Sequence, residues 1–137
     1  DMTRFSITMD EALDFILKST QTGKGGEIFV PKLKAYSITD VAEALKELLG
    51  DFGEKNISVR QGEKIHESLI NIDEMRSTIE DESTYTILNP SLTNDGNLNK
   101  YYPNMKKVTE IKQYSSDTVE KISKEELKKL FKNSGLL

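Results

Sequence analysis

Strand-like and helix-like patterns of apolar residues alternate along this sequence, and this alternation limits the fold more than any other feature. Short strands are predicted at residues 5–7, 27–30, 57–59 and 84–88. Helices are predicted between and after them, at residues 8–22, 38–49, 64–70 and 123–134, with one further helical turn within 73–82. Interleaved strands and helices favour an α/β or mixed architecture.

Two capping boxes mark the starts of helices. Thr8 is followed three residues later by Glu11, and Ser123 is followed in the same way by Glu126. In this motif the hydroxyl and the carboxylate each accept a backbone N–H that the first helical turn leaves unpaired. The first helix carries a broad apolar stripe made of Ala12, Leu13, Phe15, Ile16 and Leu17. Glycine ends helices easily, so the first and last helices are predicted to stop at Gly23 and Gly135.

Weaker patterns define the elements between these helices. Residues 27–30 show little alternation, so we expect a strand that is buried on both faces and that Pro31 ends. Residues 32–37 are predicted to form a loop, and Ser37 or Thr39 can cap the second helix.

Charge and composition exclude several classes of protein. The net charge of −4 argues against a general nucleic-acid binder, which needs a basic face. The absence of cysteine excludes disulfides and thiolate metal sites, and a single histidine excludes a multi-histidine metal site within one chain. No apolar run approaches the roughly 20 residues that span a bilayer. We therefore expect a cytoplasmic protein with no metal, nucleic acid or membrane partner.

The length of 137 residues predicts a single region over 1–137. Within it, residues 89–104 are rich in Asn, Pro, Gly and Asp and are predicted to be a loop. Residues 105–137 form a C-terminal tail that ends in a helix. The chain starts with Asp1 rather than Met, inside a patterned segment. We therefore expect it to be cut from a longer protein.

Residues 59–67 carry the densest cluster of chemically useful side chains. Arg60 can direct two N–H groups at phosphate oxygens, and Gly62 lets a ligand approach the backbone closely. Glu63 can accept from two neighbouring hydroxyls, and Lys64 adds positive charge at the predicted helix N-terminus. The alternative is a charged turn in which Glu63 compensates the helix dipole. The local sequence leaves both interpretations open.

Two other candidates have simpler alternatives. Arg4 lies at the start of a strand, where it can contact a second phosphate or pair with an acidic neighbour. His66 and Glu67 are adjacent, so they do not share a helix face, and no second histidine exists. We therefore expect a structural His66, not a metal ligand or the centre of a hydrolase.

A catalytic proton-transfer pair is not predicted. Tyr102 and Lys106 have the Tyr-x-x-x-Lys spacing of short-chain dehydrogenases, but Pro103 follows Tyr102 directly. Proline breaks the helix that this pair requires, so the spacing is interpreted as a coincidence. No glycine-rich dinucleotide-binding turn occurs, and residues 23–26 precede a strand instead of a helix. Neither a catalytic residue nor a cofactor is therefore predicted in this chain.

Three blocks, at residues 2–5, 25–32 and 60–67, together resemble the C-terminal third of the inverting type of UDP-N-acetylglucosamine 4,6-dehydratases. The tail at 114–116 and 122–127 is similar as well. These dehydratases are extended short-chain dehydrogenase/reductase enzymes that make surface polysaccharides, including capsule sugars. The chain departs from the family pattern at Gln61, where proline is usual.

The resemblance implies roles for three residues. Arg60 would contact the diphosphate of a UDP-sugar, Glu63 would hold the ribose hydroxyls, and Arg4 would be a second diphosphate contact. In the family, an upstream Rossmann domain holds NADP and the catalytic Tyr/Lys pair, and that domain is absent from this chain. The resemblance therefore implies the substrate-binding part of a lyase, which is not catalytic alone.

An alternative of another class is a non-catalytic interaction or assembly module. Apolar surface that faces a Rossmann domain in the family would drive self-association or partner binding if it were left bare. The sequence fixes neither the sugar nor the oligomeric state.

Overall fold

The computed structural model describes residues 1–51, 53–89 and 98–134, which divide into two compact units. Unit 1 contains residues 1–6, 34–67 and the chain from 115 onward, and unit 2 contains residues 7–33 and 68–114. The tail predicted at 105–137 thus contributes to both units. The fold is of the mixed α/β class, as predicted. No helix within the described ranges combines the length and apolarity needed to cross a bilayer.

The described residues form the following strands and helices in chain order: β1 Thr3–Phe5, α1 Met9–Thr22, β2 Ile28–Pro31, β3 Ala35–Ser37, α2 Ile38–Leu49, β4 Ser68–Ile70, α3 Ile72–Met75, β5 Thr78–Glu80, β6 Thr84–Ile87, α4 Leu98–Tyr101, β7 Lys106–Lys107, β8 Tyr114–Ser115 and α5 Lys124–Asn133.

In unit 1, β1 pairs with β3 in antiparallel register, with Thr3 opposite Ser37. The Ser37 hydroxyl then accepts backbone N–H groups at the start of α2, so one residue ends the strand and caps the helix. Helices α2 and α5 pack together over a small core whose buried members are Ala44, Ile122 and Leu127.

Ion pairs supplement this small core. The Nζ atoms of Lys124 and Lys128 on α5 lie 2.7 and 2.5 Å from the two carboxylate oxygens of Glu47 on α2. Hydrogen bonds from these two ammonium groups lower the pKa of Glu47 from 4.5 to about 2. The carboxylate is therefore charged at all but strongly acidic pH.

Unit 2 is built on a four-stranded antiparallel sheet in the order β2-β6-β5-β7. Its core contains Ile79, Leu88 and Tyr102, which are 1, 6 and 4% exposed. The prediction that β2 is buried on both faces is wrong: Val30 is buried, but Ile28 is 57% exposed. Ile28 and Val30 lie on the same face of β2, so burial changes along this short edge strand, and on its other face Phe29 and Pro31 are only half-buried. Pro31 is its last residue, a position that an edge strand tolerates.

The capping boxes of α1 and α5 are confirmed, and most of the apolar stripe of α1 is exposed. Leu13, Ile16 and Leu17 are 52, 56 and 60% exposed, and no residue of α1 is buried. The amphipathic stripe forms a helix as predicted, but in the described residues it does not form a core.

Two further predicted elements are wrong. Residues 57–59 have no strand partner among the described residues, and residues 64–70 are not a helix but lead into β4. The Ile65 and Glu67 carbonyl oxygens accept from the Thr3 and Ser116 N–H groups instead of from residues four positions on. Hydrogen bonds to distant segments therefore replace the helical ladder.

The predicted loops also contain short elements. Residues 32–37 include β3, which forms because β1 supplies a distant pairing partner. Residues 89–104 include α4, while 90–97 lie outside the described residues, as does the helix end predicted at Gly135.

Candidate functional site

Unit 1 contains an open cleft of about 700 Å³ whose lining includes Arg4, Arg60 and Glu63. The structure thus brings together the three residues singled out from the sequence. Most of the other lining is supplied by Met2, Ile38, Thr39 and residues 55–59. The cleft combines apolar walls with three cationic side chains, Arg4, Lys55 and Arg60, and two carboxylates, Asp1 and Glu63. This combination suits a ligand with both a ring and negative charge.

Arg60 and Glu63 occupy the two ends of a tight turn. The Glu63 N–H donates to the Arg60 carbonyl oxygen at 3.0 Å, and the Arg60 N–H donates to Glu63 Oε2 at 3.1 Å. Gly62 has a φ of +83°, a conformation that glycine adopts without strain. The helix predicted at residues 64–70 is absent, so Lys64 does not lie at a helix N-terminus.

The Arg60 guanidinium is exposed and available. Within residues 1–51, 53–89 and 98–134, no hydrogen bond or ion pair engages this side chain. Its N–H donors are therefore available to an anion in the cleft. The alternative interpretation of the turn, charge compensation of a helix dipole by Glu63, does not apply because that helix is missing.

Arg4 is held much more firmly than Arg60. Its Nη1 donates to the carbonyl oxygens of Thr3 and Ile65 at 2.7 and 3.1 Å. Its other donors face three side chains: the sulfur of Met2 and the carboxylates of Glu63 and Glu67. The Nη2 to Glu63 Oε1 distance is 3.7 Å, so this pair is loose enough to exchange for a ligand. Arg4 thus pairs with acidic neighbours, and its side chain also lines the cleft.

His66 has a structural partner, in agreement with the prediction. Its Nδ1 lies 2.8 Å from the hydroxyl of Thr3, which lies 2.7 Å from the hydroxyl of Ser116. Thr3 and Ser116 are buried, at 5 and 0% exposure. Sequence reasoning did not identify this cluster, because its members are distant in the chain and carry no motif.

The Tyr102–Lys106 spacing is a coincidence, as predicted. Helix α4 ends at Tyr101, and Lys106 begins β7, so the two side chains share no helix face. Burial and the hydrogen bond from the Tyr102 hydroxyl to Glu27, at 2.8 Å, both raise the pKa of Tyr102. A catalytic tyrosine of this type needs a lowered pKa, so the environment of Tyr102 has the opposite effect.

Comparison with known proteins shows which family the chain resembles. Residues 1–89 match the model of a family described as polysaccharide biosynthesis protein. The chain is 39% identical over 121 residues to a UDP-N-acetylglucosamine 4,6-dehydratase (inverting) of Campylobacter jejuni, a match that covers 85% of this chain and 35% of the relative. These identities confirm the resemblance predicted from the three sequence blocks.

Relatives with a different name are also similar. A UDP-glucose 4-epimerase of Rickettsia felis is 35% identical over 134 residues, covering 96% of this chain and 39% of the relative. The X-ray structure of Pen from Bacillus thuringiensis superposes with a TM-score of 0.84 at 31% identity, covering 99% of this chain and 40% of that one. The chain therefore spans well under half the length of the proteins that it resembles.

Proposed function

The chain belongs to the polysaccharide biosynthesis protein family, and on that premise we propose that the cleft of unit 1 binds the uridine diphosphate part of a UDP-sugar. Relatives named as dehydratases and relatives named as epimerases differ in reaction and sugar, but both names contain UDP. The observation that carries the proposal is the presentation of Arg60 and Glu63 on one turn, with Arg4 in the same cleft. In this proposal the whole chain, residues 1–137, serves as one substrate-binding region.

Each of the three residues has a distinct proposed role. Arg60 binds the diphosphate, because a guanidinium can donate two parallel hydrogen bonds to phosphate oxygens. Glu63 accepts from the ribose hydroxyls, since each of its oxygens keeps a free lone pair beside its present partner. Arg4 adds a second diphosphate contact through Nη2 once Glu63 turns toward the ribose. Ligand binding thus exchanges the loose Arg4–Glu63 pair for two ligand contacts.

We propose no proton or hydride transfer on this chain. In the described residues the glycines at 23–26 lead into β2, and neither a dinucleotide cradle nor a Tyr/Lys pair on one helix is formed. NADP does not fit these residues, so in this proposal it is held by an upstream Rossmann domain of the longer protein. The cytoplasmic location expected from the sequence belongs to the same proposal.

For the longer protein we favour dehydration of UDP-N-acetylglucosamine, since the dehydratase relative has the higher identity. Incubation of that protein with UDP-N-acetylglucosamine and with UDP-glucose, followed by proton NMR, separates the two reactions. A 4,6-dehydratase converts the C6 hydroxymethyl group to a methyl group, whereas a 4-epimerase keeps C6 and inverts C4. A product with an intact hydroxymethyl group would replace the dehydratase assignment by the epimerase one.

Titration calorimetry of this chain with UDP tests the binding proposal itself. Loss of a charge-assisted contact of the Arg60 type costs on the order of 1.5–3 kcal/mol, so Arg60→Ala is expected to weaken UDP binding about tenfold or more. Arg76→Ala is the matched control, because Arg76 is an exposed arginine of unit 2 whose ion-pair partner is Asp73. Equal affinity of the Arg60→Ala variant and the unmodified chain would remove Arg60 from the site.

The exposed face of α1 favours a second candidate, an assembly module that binds a second copy. Met9, Leu13, Ile16 and Leu17 lie along one stripe and are each more than half exposed. Light scattering discriminates the two functions: concentration-dependent oligomers without UDP affinity support assembly, and a monomer that binds UDP supports the first proposal.

A further inference from the structure

Behind the cleft of unit 1 lies a hydroxyl–imidazole brace, which we define as the side chains of Thr3, His66 and Ser116. The Thr3 hydroxyl contacts His66 Nδ1 at 2.8 Å and Ser116 Oγ at 2.7 Å. Ser116 Oγ also accepts from the Glu67 N–H at 2.9 Å. Ser116 is fully buried and Thr3 is 5% exposed, so the bond between their hydroxyls is shielded from water in the folded chain.

The brace can satisfy its hydrogen bonds in two directions. If His66 Nδ1 accepts, Thr3 donates to it and Ser116 donates to Thr3 Oγ1. If Nδ1 carries a proton and donates, Thr3 donates to Ser116, which then donates to the Thr3 carbonyl oxygen at 3.3 Å. Hydroxyl groups act as donor and acceptor at once, so the brace persists with either histidine tautomer.

Three distant segments meet at this brace, and two of them carry the cleft residues. Thr3 precedes Arg4, and His66 closes the segment that starts at Arg60 and Glu63. The Thr3 N–H and Arg4 Nη1 both donate to the Ile65 carbonyl oxygen at 3.1 Å. The position of the Arg4 guanidinium relative to the turn therefore depends on how residues 3 and 65–67 are held together.

The third segment, which begins at Ser116, is itself anchored by hydrogen bonds from Lys121. The ammonium group of Lys121 donates to three carbonyl oxygens, those of Ser116, Asp117 and Val119, at 2.8, 2.9 and 3.0 Å. The Ser116 N–H donates to the Glu67 carbonyl oxygen at 2.8 Å. Ser116 is thus fixed on both sides, so its hydroxyl can serve as a rigid reference point for Thr3 and Glu67.

We propose that Thr3, Ser116 and His66 are positioning residues, whose hydrogen bonds preorganise Arg4 and the Arg60–Glu63 turn for a nucleoside diphosphate. This inference rests on the proposed function, since it assigns a task to residues behind the same cleft. Thr3 and Ser116 are buried behind it, and they act through Arg4 and Glu67. Preorganisation raises affinity because less conformational freedom is lost when the ligand binds.

The matched pair Thr3→Val and Thr3→Ser separates the hydroxyl from the packing of Thr3. Valine has nearly the shape of threonine but cannot bond His66 or Ser116, whereas serine keeps the hydroxyl and loses the methyl. We expect Thr3→Val to weaken UDP binding about fivefold or more in calorimetry, as loss of one net hydrogen bond predicts, and Thr3→Ser to retain affinity within about twofold. Thr86→Val is the control for general destabilisation, since Thr86 is a fully buried threonine of unit 2.

Two additional measurements complete the test. In an Arg4→Ala background Thr3→Val should cause a smaller loss of UDP affinity than in the unmodified chain, because part of the effect of the brace passes through Arg4; full additivity would overturn the proposal. Hydrogen exchange of the Arg4 Nε–H and the Glu67 amide, followed by NMR without ligand, should accelerate in Thr3→Val and not in Thr3→Ser. If Thr3→Val does not fold, His66→Phe, which removes Nδ1 at a half-buried position, replaces it.

The outcomes of this test and of the UDP-binding proposal are distinguishable. If the unmodified chain does not bind UDP, the proposed function fails, and the exchange measurement still decides whether the brace holds Arg4. If the chain binds UDP and Thr3→Val binds it equally well, the brace does not position the site. An equal loss in Thr86→Val would likewise overturn the proposal, because general destabilisation would then explain the effect.

Discussion

Gly62→Ala perturbs the candidate turn through the backbone alone. A Cβ at this position meets no atom within 4 Å, so alanine introduces no steric clash with other residues. The φ of Gly62 is +83°, however, and this left-handed region is strained for alanine. Any effect of the substitution must therefore come from the conformation of the turn.

The strain energy at residue 62 determines how much stability and UDP affinity Gly62→Ala should lose. A left-handed conformation costs a residue with a Cβ about 1–2 kcal/mol. Residues 53–65 are exposed, so the turn can relax locally without unfolding the unit. The unfolding free energy should then fall by less than the full strain energy, at most about 1 kcal/mol. UDP binding must restore the original turn, so its affinity should fall by the part of the strain energy that relaxation has relieved, which is at most about five- to thirtyfold.

The assay is calorimetric titration of UDP combined with denaturant unfolding of the same samples. Gly50→Ala serves as the control, because Gly50 has a φ of +96° and also has open space where a Cβ would stand. It ends α2 and does not line the cleft. We expect Gly50→Ala to lower stability and to leave the UDP dissociation constant unchanged.

Two results would refute this reasoning. The first is unchanged UDP affinity in Gly62→Ala, which would mean that the conformation of the turn does not matter for binding. The second is an equal loss of affinity in Gly50→Ala, which would trace the effect to general destabilisation of unit 1.

Three further predictions concern stability. Tyr102→Phe removes the hydrogen bond to Glu27 and should lower the unfolding free energy by about 1.5–3 kcal/mol, measured by urea denaturation, whereas unchanged stability would show that the bond contributes nothing net. The folded-state pKa of Glu47 is about 2, below its ordinary 4.5, so its stabilising contribution is present above pH 4.5 and is lost as the pH falls toward 2. Glu47→Gln should flatten that part of the stability–pH curve, and an unchanged slope would argue against the ion pairs. Ile79→Ala should cost about 2–5 kcal/mol because Ile79 is 1% exposed, while Leu17→Ser, at 60% exposure, should stay within about 0.5 kcal/mol; similar losses in both would contradict the burial assigned here.

Local interactions were the predictable part of the fold. The capping boxes at Thr8 and Ser123 involve residues three positions apart, and the structure confirms both. A third capping box, at Asn71 and Glu74, has the same physical basis. It starts a helix of only one turn, which is too short to show an apolar periodicity in the sequence.

Elements that depend on distant partners were mispredicted. β3 forms because β1 supplies its hydrogen-bonding partner from 30 to 34 residues away, as Phe5 lies opposite Ala35 and Thr3 opposite Ser37. The apolar spacing of residues 64–70 suits a helix, but the backbone there bonds to Thr3 and Ser116 instead. Sequence periodicity carries no information on such pairings.

In the candidate site, too, local contacts could be predicted from the sequence and contacts between distant segments could not. Arg60 and Glu63 are three residues apart, so their joint presentation on a turn follows from the local sequence. The approach of Arg4 to Glu63 spans 59 positions and was expected only from the family resemblance. The brace of Thr3, His66 and Ser116 could not be predicted, because its residues are distant in the chain and belong to none of the motifs considered.

The most direct test asks whether Arg60 binds the diphosphate and Glu63 binds the ribose of UDP. It measures the binding of UDP and of two smaller ligands to the unmodified chain and to two variants. Calorimetry compares UDP, uridine and 2′,3′-dideoxyuridine on the unmodified chain, Arg60→Ala and Glu63→Gln. We predict that Arg60→Ala loses about tenfold in affinity for UDP and nothing for uridine, because its contact is with phosphate. Glu63→Gln should lose affinity for uridine and not for the dideoxy compound. Equal losses of Arg60→Ala for UDP and uridine would contradict the assignment of this guanidinium to the diphosphate.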